Sequence, residues 1–189
     1  MKTIGPEEVH AALSYPALVD ALQETFSGEF NMPPRNVFLL DEQSESHDAF
    51  AVLPSWNTDL IGVKAFTYFP SNSGPYKSLY SKILLFDRAH GEPLALVDGT
   101  TVTFWRTAGI SGLATRLLAR KDAENLLLLG TGNLAKYIIR ANASVRPLKR
   151  VSVWGRTPSN AAQIVDEMSS ELEGVEMTVA TDLEKSCRE

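Results

Sequence analysis

Cysteine is almost absent from this chain of 189 residues, and the single Cys187 excludes an intramolecular disulfide. That usage suits a reducing compartment, so we expect a cytoplasmic protein. Histidine is nearly as scarce: His10, His47 and His90 are too scattered to make a His/Cys zinc site, and we expect no metal. No apolar run approaches the roughly 18 residues that span a bilayer. Met1 to His10 holds no apolar stretch of the kind a secretory signal needs, so we expect no membrane partner. An excess of positive charge is also lacking. The formal net charge is -5, which removes the electrostatic reason to expect nucleic acid. What remains is 44% hydrophobic and 22% charged residues, a globular composition. The length fits one domain, or one domain plus part of another.

The first hundred residues do not alternate strand and helix. Pro16 to Phe26 reads as a helix, with Leu18, Val19, Leu22 and Phe26 at helical spacing and Pro16 in the first turn. Short strand-like runs follow at Val37–Leu40, Asp48–Leu53, Leu60–Tyr68, Ser78–Phe86 and Pro93–Asp98. Turn clusters such as Ser71-Asn72-Ser73-Gly74-Pro75 separate them. The expectation is an antiparallel α+β domain, with an exposed loop at 41–46. Thr101 to Ala119 turns helical. Trp56, Phe104 and Trp105 read as core or interface aromatics.

After Lys121 the pattern changes. Leu126-Leu127-Leu128-Leu129 predicts a parallel strand buried on both faces. Asn133–Ala143 predicts a helix, Arg150–Trp154 a second strand, Ser159–Leu172 a second helix and Val175–Val179 a third strand. Thr181-Asp182 reads as the cap of another helix. The fold class is therefore α/β: an N-terminal α+β domain (1–120), then the first half of a doubly wound Rossmann domain (121–189). Such folds normally contain two mononucleotide halves, so we expect a piece of a longer protein that is inactive by itself.

Gly130-Thr131-Gly132-Asn133-Leu134-Ala135 has the form G-x-G-x-x-A between a strand and a helix, the setting that dinucleotide binding requires. The first glycine allows the turn, the second lets the backbone approach a pyrophosphate, and Ala135 lets helix and strand pack closely. The helix start then offers free N–H groups and a positive dipole end to phosphate. At the end of the second strand an acidic residue would bind the ribose hydroxyls of NAD. Arg156-Thr157 stands there instead, and a guanidinium suits a 2′-phosphate. NADP(H) is favoured on this reading, with NAD(H) the alternative.

Several segments in one order carry a further message: Pro33-Pro34-Arg35, Gly62-Val63-Lys64, Leu84-Leu85-Phe86-Asp87, Gly91-Glu92-Pro93-Leu94-Ala95, Asp98-Gly99-Thr100, and Arg106 through Ala114, with the glycine loop following. In this combination the chain resembles the ornithine cyclodeaminase/mu-crystallin family. The resemblance implies a substrate and dimerisation domain followed by a nicotinamide-binding Rossmann domain, and hence a homodimer through the N-terminal part. It implies activity on imines of α-amino acids. By resemblance, Arg35, Lys64 and Arg106 match substrate-binding positions, and Thr107 lies where the helix meets the cofactor phosphates. The chemistry agrees: a carboxylate suits a guanidinium fork, and a protonated C=N bond accepts hydride more readily, which suits Lys64 as the catalytic cation. Many relatives carry a histidine where Leu79 and Tyr80 stand here. The expected function is NADPH-dependent reduction of a cyclic α-imino acid such as Δ1-pyrroline-2-carboxylate to an amino acid such as proline. The alternatives are an ornithine cyclodeaminase using bound NAD to release ammonia, and a non-catalytic binding protein like mu-crystallin.

Overall fold

A computed structural model of the chain describes residues 1–41, 43 and 45–188. Contacts group it into two compact units: Met1–Leu13 with Glu24–Thr103, and Ser14–Gln23 with Phe104–Glu189. Of the loop expected at 41–46, residues 42 and 44 lie outside the described residues, while Asp41, Gln43 and Glu45 are exposed.

In the first unit the strands β1 (Lys2–Ile4), β2 (Asn36–Leu39), β3 (Ala49–Trp56), β4 (Leu60–Tyr68), β5 (Leu79–Asp87) and β6 (Pro93–Asp98) form one sheet in the order β1-β6-β5-β4-β3-β2. Neighbours run antiparallel from β2 to β6. Nine consecutive pairs, from Leu60↔Asp87 to Tyr68↔Leu79, join β4 to β5. The hairpin between β3 and β4 turns on Asn57, whose Oδ1 accepts from the N–H groups of Asp59 at 2.9 Å and Leu60 at 2.8 Å. Alternation puts Ala49, Ala51, Ser81, Ala95 and Val97 inside, all under one-tenth exposed.

Two elements escape the sequence reading. β1 pairs in parallel with β6 (Lys2↔Ala95, Ile4↔Val97), so the sheet is mixed rather than wholly antiparallel. Helix α1 (Pro6–Ala12) follows, with Pro6 in its first turn and the Glu8 carboxylate accepting from the Gly5 N–H at 3.0 Å. A strand of three residues is too short to show alternation, and α1 buries only Val9, so it carries no helical stripe.

The second unit holds a parallel sheet of β7 (Asn125–Leu129), β8 (Arg150–Trp154) and β9 (Glu176–Val179), in that order. Helices α4 (Ala135–Ala143), α5 (Pro158–Ser169) and α6 (Leu183–Arg188) alternate with the strands, and the carboxylate of Asp182 caps α6 through the Lys185 N–H. Val151, Val153, Ile139, Ala161 and Met168 are fully buried and form the core with Leu128 and Ile164. The central strand β8 is buried on both faces, whereas β7, for which this was expected, is not. Among the described residues β7 pairs with β8 alone; in it Leu128 is buried and Leu129 is 59% exposed.

Helix α2 (Tyr15–Ser27) contributes its first two turns to this unit, and α3 (Gly99–Leu118) contributes everything from Phe104 onward. By contacts the boundary falls near 103/104. Small residues are the reason. A side-chain carbon on Gly109 would sit 2.9 Å from Leu22, and one on Gly112 3.0 Å from the Ala141 carbonyl oxygen, so α3 approaches α2 and α4 closely. Trp105 stacks on Tyr15 and Phe104 on Tyr137, as expected of core aromatics. Buried Asn142 accepts from the Thr115 hydroxyl at 2.6 Å and donates to the Ile138 carbonyl at 2.8 Å.

The end of α3 is held by one side chain. Arg146, 9% exposed, donates to the carbonyl oxygens of Thr115, Arg116, Ala119, Arg120 and Val145 at 2.7–3.0 Å. These include carbonyls that the last helical turn leaves without intrahelical partners, and a cation there also matches the negative dipole end. Replacing Arg146 with methionine keeps most of the volume but leaves those acceptors unmatched. We expect Arg146→Met to cost about 3 kcal/mol, read as a lower urea midpoint at unchanged m-value.

Candidate functional site

The glycine loop joins β7 to α4. Gly130 has φ +122, a conformation that a side chain resists, and its N–H donates to the Trp154 carbonyl at 2.8 Å. Helix α4 begins at Ala135, two residues later than expected, because the Ala135 N–H closes a turn onto the Gly132 carbonyl at 2.9 Å. Among the described residues the N–H groups of Gly132, Asn133 and Leu134 make no backbone hydrogen bond outside the helices and strands. Ala135 is 4% exposed in the core beside Leu128 and Ile139, where a larger side chain would separate helix from strand.

Gly132 borders open space. Its φ does not demand glycine, and a side-chain carbon there would meet no protein atom within 4 Å. The space in front of it is open, facing N–H groups at the positive end of a helix. That arrangement fits a pyrophosphate.

The end of β8 lies against the same loop. A side-chain carbon on Gly155 would come within 2.5 Å of the Thr131 methyl group, so Gly155 is required for β8 and the loop to meet. The next residues, Arg156 and Thr157, are exposed, and no acidic residue stands between Trp154 and Pro158. The structure thus brings Thr131 and Gly155 together, with Arg156 next in the chain. Gly155 was not singled out by the motif, although its position directly after a strand was a signal. Thr107 is half-buried, three residues beyond Phe104, which stacks on Tyr137 of α4. In a helix that spacing keeps Thr107 on the α4-facing side.

The expected substrate residues divide between the units. In the first, Lys64 is half-buried in the middle of β4, and its ammonium donates to the Thr103 hydroxyl at 2.5 Å. It also lies 5.6 Å from the centre of the Phe66 ring. Arg35 is exposed just before β2, which is separated from β4 by β3, so it makes no part of this cluster. Arg106, on α3 in the second unit, is exposed. Thr103 and Gly99, which meet around Lys64, were not singled out from the sequence; the signal was Thr103 three residues before Arg106.

Around Lys64 the first turn of α3 is tied to the sheet. Asp98 caps it, accepting from the Thr101 N–H at 2.9 Å and from Lys82 at 3.2 Å. Burial pushes the Asp98 carboxyl up, but those hydrogen bonds outweigh it and hold the group below the ordinary carboxylate value. The Ser81 N–H donates to the Thr100 hydroxyl at 3.1 Å. Among the described residues the buried Ser81 hydroxyl has no hydrogen-bond partner. A cavity of about 320 Å3 beside Phe50, Ala65, Thr67, Lys82 and Asp98 opens on the face of the sheet that alternation assigns to Ala65, opposite Lys64.

The profile of the ornithine cyclodeaminase/mu-crystallin family matches residues 3–189. The chain belongs to that family. Among its family relatives, a Δ1-pyrroline-2-carboxylate reductase of Colwellia psychrerythraea is 52% identical over 172 residues, covering 89% of this chain and 54% of that protein. The Thermococcus litoralis Δ1-pyrroline-2-carboxylate reductase, solved with NADH and L-proline, superimposes with TM-score 0.86 at 27% identity, over 98% of this chain and 58% of that one. An archaeal alanine dehydrogenase dimer with bound NAD shares the fold, with TM-score 0.87 at 23% identity over 98% of this chain and 57% of that one. The chain spans about half the length of the curated relatives it matches. Among the described residues no helix is long and apolar enough to cross a membrane.

The two loop glycines separate binding from folding. Gly132→Ala places a methyl group in open space, so stability should stay within about 0.5 kcal/mol while dinucleotide affinity falls about tenfold or more. Gly155→Ala collides with Thr131 and should lower both. Thermal unfolding and calorimetric titration with NADH and NADPH distinguish the two.

Proposed function

We propose that this chain supplies the substrate-binding part and the first half of the cofactor-binding part of an NADPH-dependent reductase. Its substrate would be a cyclic α-imino acid, Δ1-pyrroline-2-carboxylate or a related ketimine, and its product an amino acid such as proline. The reading rests on the 52% identity with the Colwellia reductase. In the proposed division, 1–120 carries substrate and dimer contacts and 121–189 the cofactor. The exposed apolar edge of β2 (Val37, Phe38 and Leu39, each at least half exposed) supports a homodimer through the first part.

Each side chain then has a task its chemistry suits. Arg106, exposed and charged, holds the carboxylate with two parallel N–H donors, and Arg35 assists from the loop before β2. Lys64, a donor-only ammonium fixed at one corner, faces the imine nitrogen, donates a hydrogen bond to it and supplies the proton that the nitrogen takes up as hydride reaches carbon. The nicotinamide supplies the hydride when bound. The loop from Gly130 to Ala135 orients that cofactor through backbone N–H groups, with Thr107 beside its phosphates. Arg156 and Thr157 hold a 2′-phosphate, and the missing carboxylate removes the repulsion an NAD-specific site would impose. The Thermococcus litoralis relative was solved with NADH; the preference for NADPH rests on Arg156, Thr157 and the missing carboxylate of this chain.

A panel of cyclic imines and L-ornithine, run on the full-length protein with NADPH and NADH, tests the proposal. We expect NADPH oxidation with Δ1-pyrroline-2-carboxylate, and a loss of about a hundredfold in kcat/KM for Lys64→Ala. Ammonia release from ornithine with bound NAD, and no imine reduction, would overturn it in favour of the cyclodeaminase. For cofactor choice, Arg156→Ala should weaken NADPH binding about tenfold and leave NADH within about twofold. Equal losses for both would assign Arg156 no role in the choice.

A further inference from the structure

We infer that Thr103 is a positioning residue that fixes the direction of the Lys64 ammonium, and that the close contact of Gly99 with β5 holds Thr103 where it can do so. The inference rests on the proposed role of Lys64 in binding the imine.

Two hydrogen bonds define the arrangement. The Lys64 ammonium donates to the Thr103 hydroxyl at 2.5 Å, and the Thr103 hydroxyl donates to the Gly99 carbonyl at 2.6 Å. A lysine ammonium has donors only, and a hydroxyl has a single proton. With that proton committed to Gly99, the hydroxyl oxygen is left to Lys64 as an acceptor, and the polarity of the pair is set. The carbonyl of Gly99 has no proton to pass on, so the chain of bonds anchors Lys64 and does not relay protons. One N–H of the ammonium is used by Thr103, and the Phe66 ring, 5.6 Å away, lines another side of the charge. A side chain with four rotatable bonds is thereby reduced to a narrow range of directions, which lowers the entropic cost of meeting a substrate.

The anchor is as rigid as the ground beneath it. A side-chain carbon on Gly99 would stand 2.8 Å from the Ser81 hydroxyl oxygen and 3.1 Å from the Lys82 nitrogen and the Ser81 carbonyl carbon. Two of those neighbours are backbone, which cannot swing aside. The contact is tightened by the bonds from the Ser81 N–H to Thr100 and from the Thr101 N–H to Asp98. The first turn of α3 is thus pressed on β5, the strand next to β4, and carries Thr103 to Lys64.

The experiment compares Thr103→Val, which removes the hydroxyl at nearly equal volume, with Thr103→Ser, which keeps it, in the full-length protein. Two readouts are taken. The first is the Lys64 ammonium resonance in a proton–nitrogen spectrum, assigned by its loss in Lys64→Arg. The second is kcat and KM for imine reduction. We expect Thr103→Val to broaden or shift the resonance and lower kcat about tenfold or more, with KM changed less than about threefold. Thr103→Ser should retain both within about twofold. A Lys64 resonance unchanged in Thr103→Val overturns the positioning role whatever the rates. If the resonance changes in Thr103→Val while the rates of that variant and of Lys64→Ala match the parent, the positioning stands as geometry and the reading of Lys64 as a substrate residue fails. If Thr103→Val unfolds, judged by its amide spectrum, Thr103→Ser decides alone: a displaced ammonium resonance there, with the fold intact, overturns the inference.

Discussion

Between Gly99 and the backbone of β5 there is no room for a methyl group. Much of the first unit's chemistry follows from that closeness. It brings the start of a helix of 20 residues onto the middle of a sheet, where Asp98 can cap it and Thr100 can accept from Ser81. It also lays the third threonine of the helix, Thr103, over the one lysine that interrupts the apolar β4. A charged group half-buried in a strand needs such a partner, because an unmatched ammonium out of water is costly. The same partner that removes this cost also gives the ammonium its direction.

The second unit is organised around a different closeness. Thr131 presses on Gly155, and the loop after β7 and the residue after β8 become neighbours in space although they stand far apart in the chain. The positive φ at Gly130 turns the chain, and Gly132 leaves the front of the helix start uncovered. Behind them, Ala135, Ile139, Val151 and Val153 are buried in one apolar cluster, on which the loop rests. Arg146 extends that base to α3 by matching main-chain acceptors that would otherwise lie buried and unmet, and Asn142 does so by accepting from the Thr115 hydroxyl. Salt links from α4 to α5 (Lys136 to Glu167) and to the segment just after it (Arg140 to Glu171) lie at the surface and add less. The hydrogen bond from Arg140 nevertheless holds the Glu171 carboxyl below its ordinary value.

Parts of this were legible beforehand because they are written over short distances. Leu18, Val19 and Leu22 repeat with the period of a helix, and the strands from Leu60 to Tyr68 and from Pro93 to Asp98 are bounded by turn residues at both ends. The glycine loop is a local pattern with a local meaning. Where the reading failed, the signal was short or ambiguous. Lys2–Ile4 is three residues long, and the four leucines of β7 look the same whether a strand has one neighbour or two.

The amino-acid sequence alone therefore determined the succession of helices and strands, the phosphate-type loop, the absence of a disulfide framework, and the order of motifs that marks the family. Each depends on neighbours in the chain, on period, turn chemistry and composition. Only the tertiary structure decided which hydroxyl receives the Lys64 ammonium across 39 residues, which five carbonyls receive Arg146, why Gly155 is glycine, and that α3 belongs for most of its length with the later residues. Those pairings depend on strand register and on how closely two backbones can approach, and neither is encoded in any one stretch of the chain.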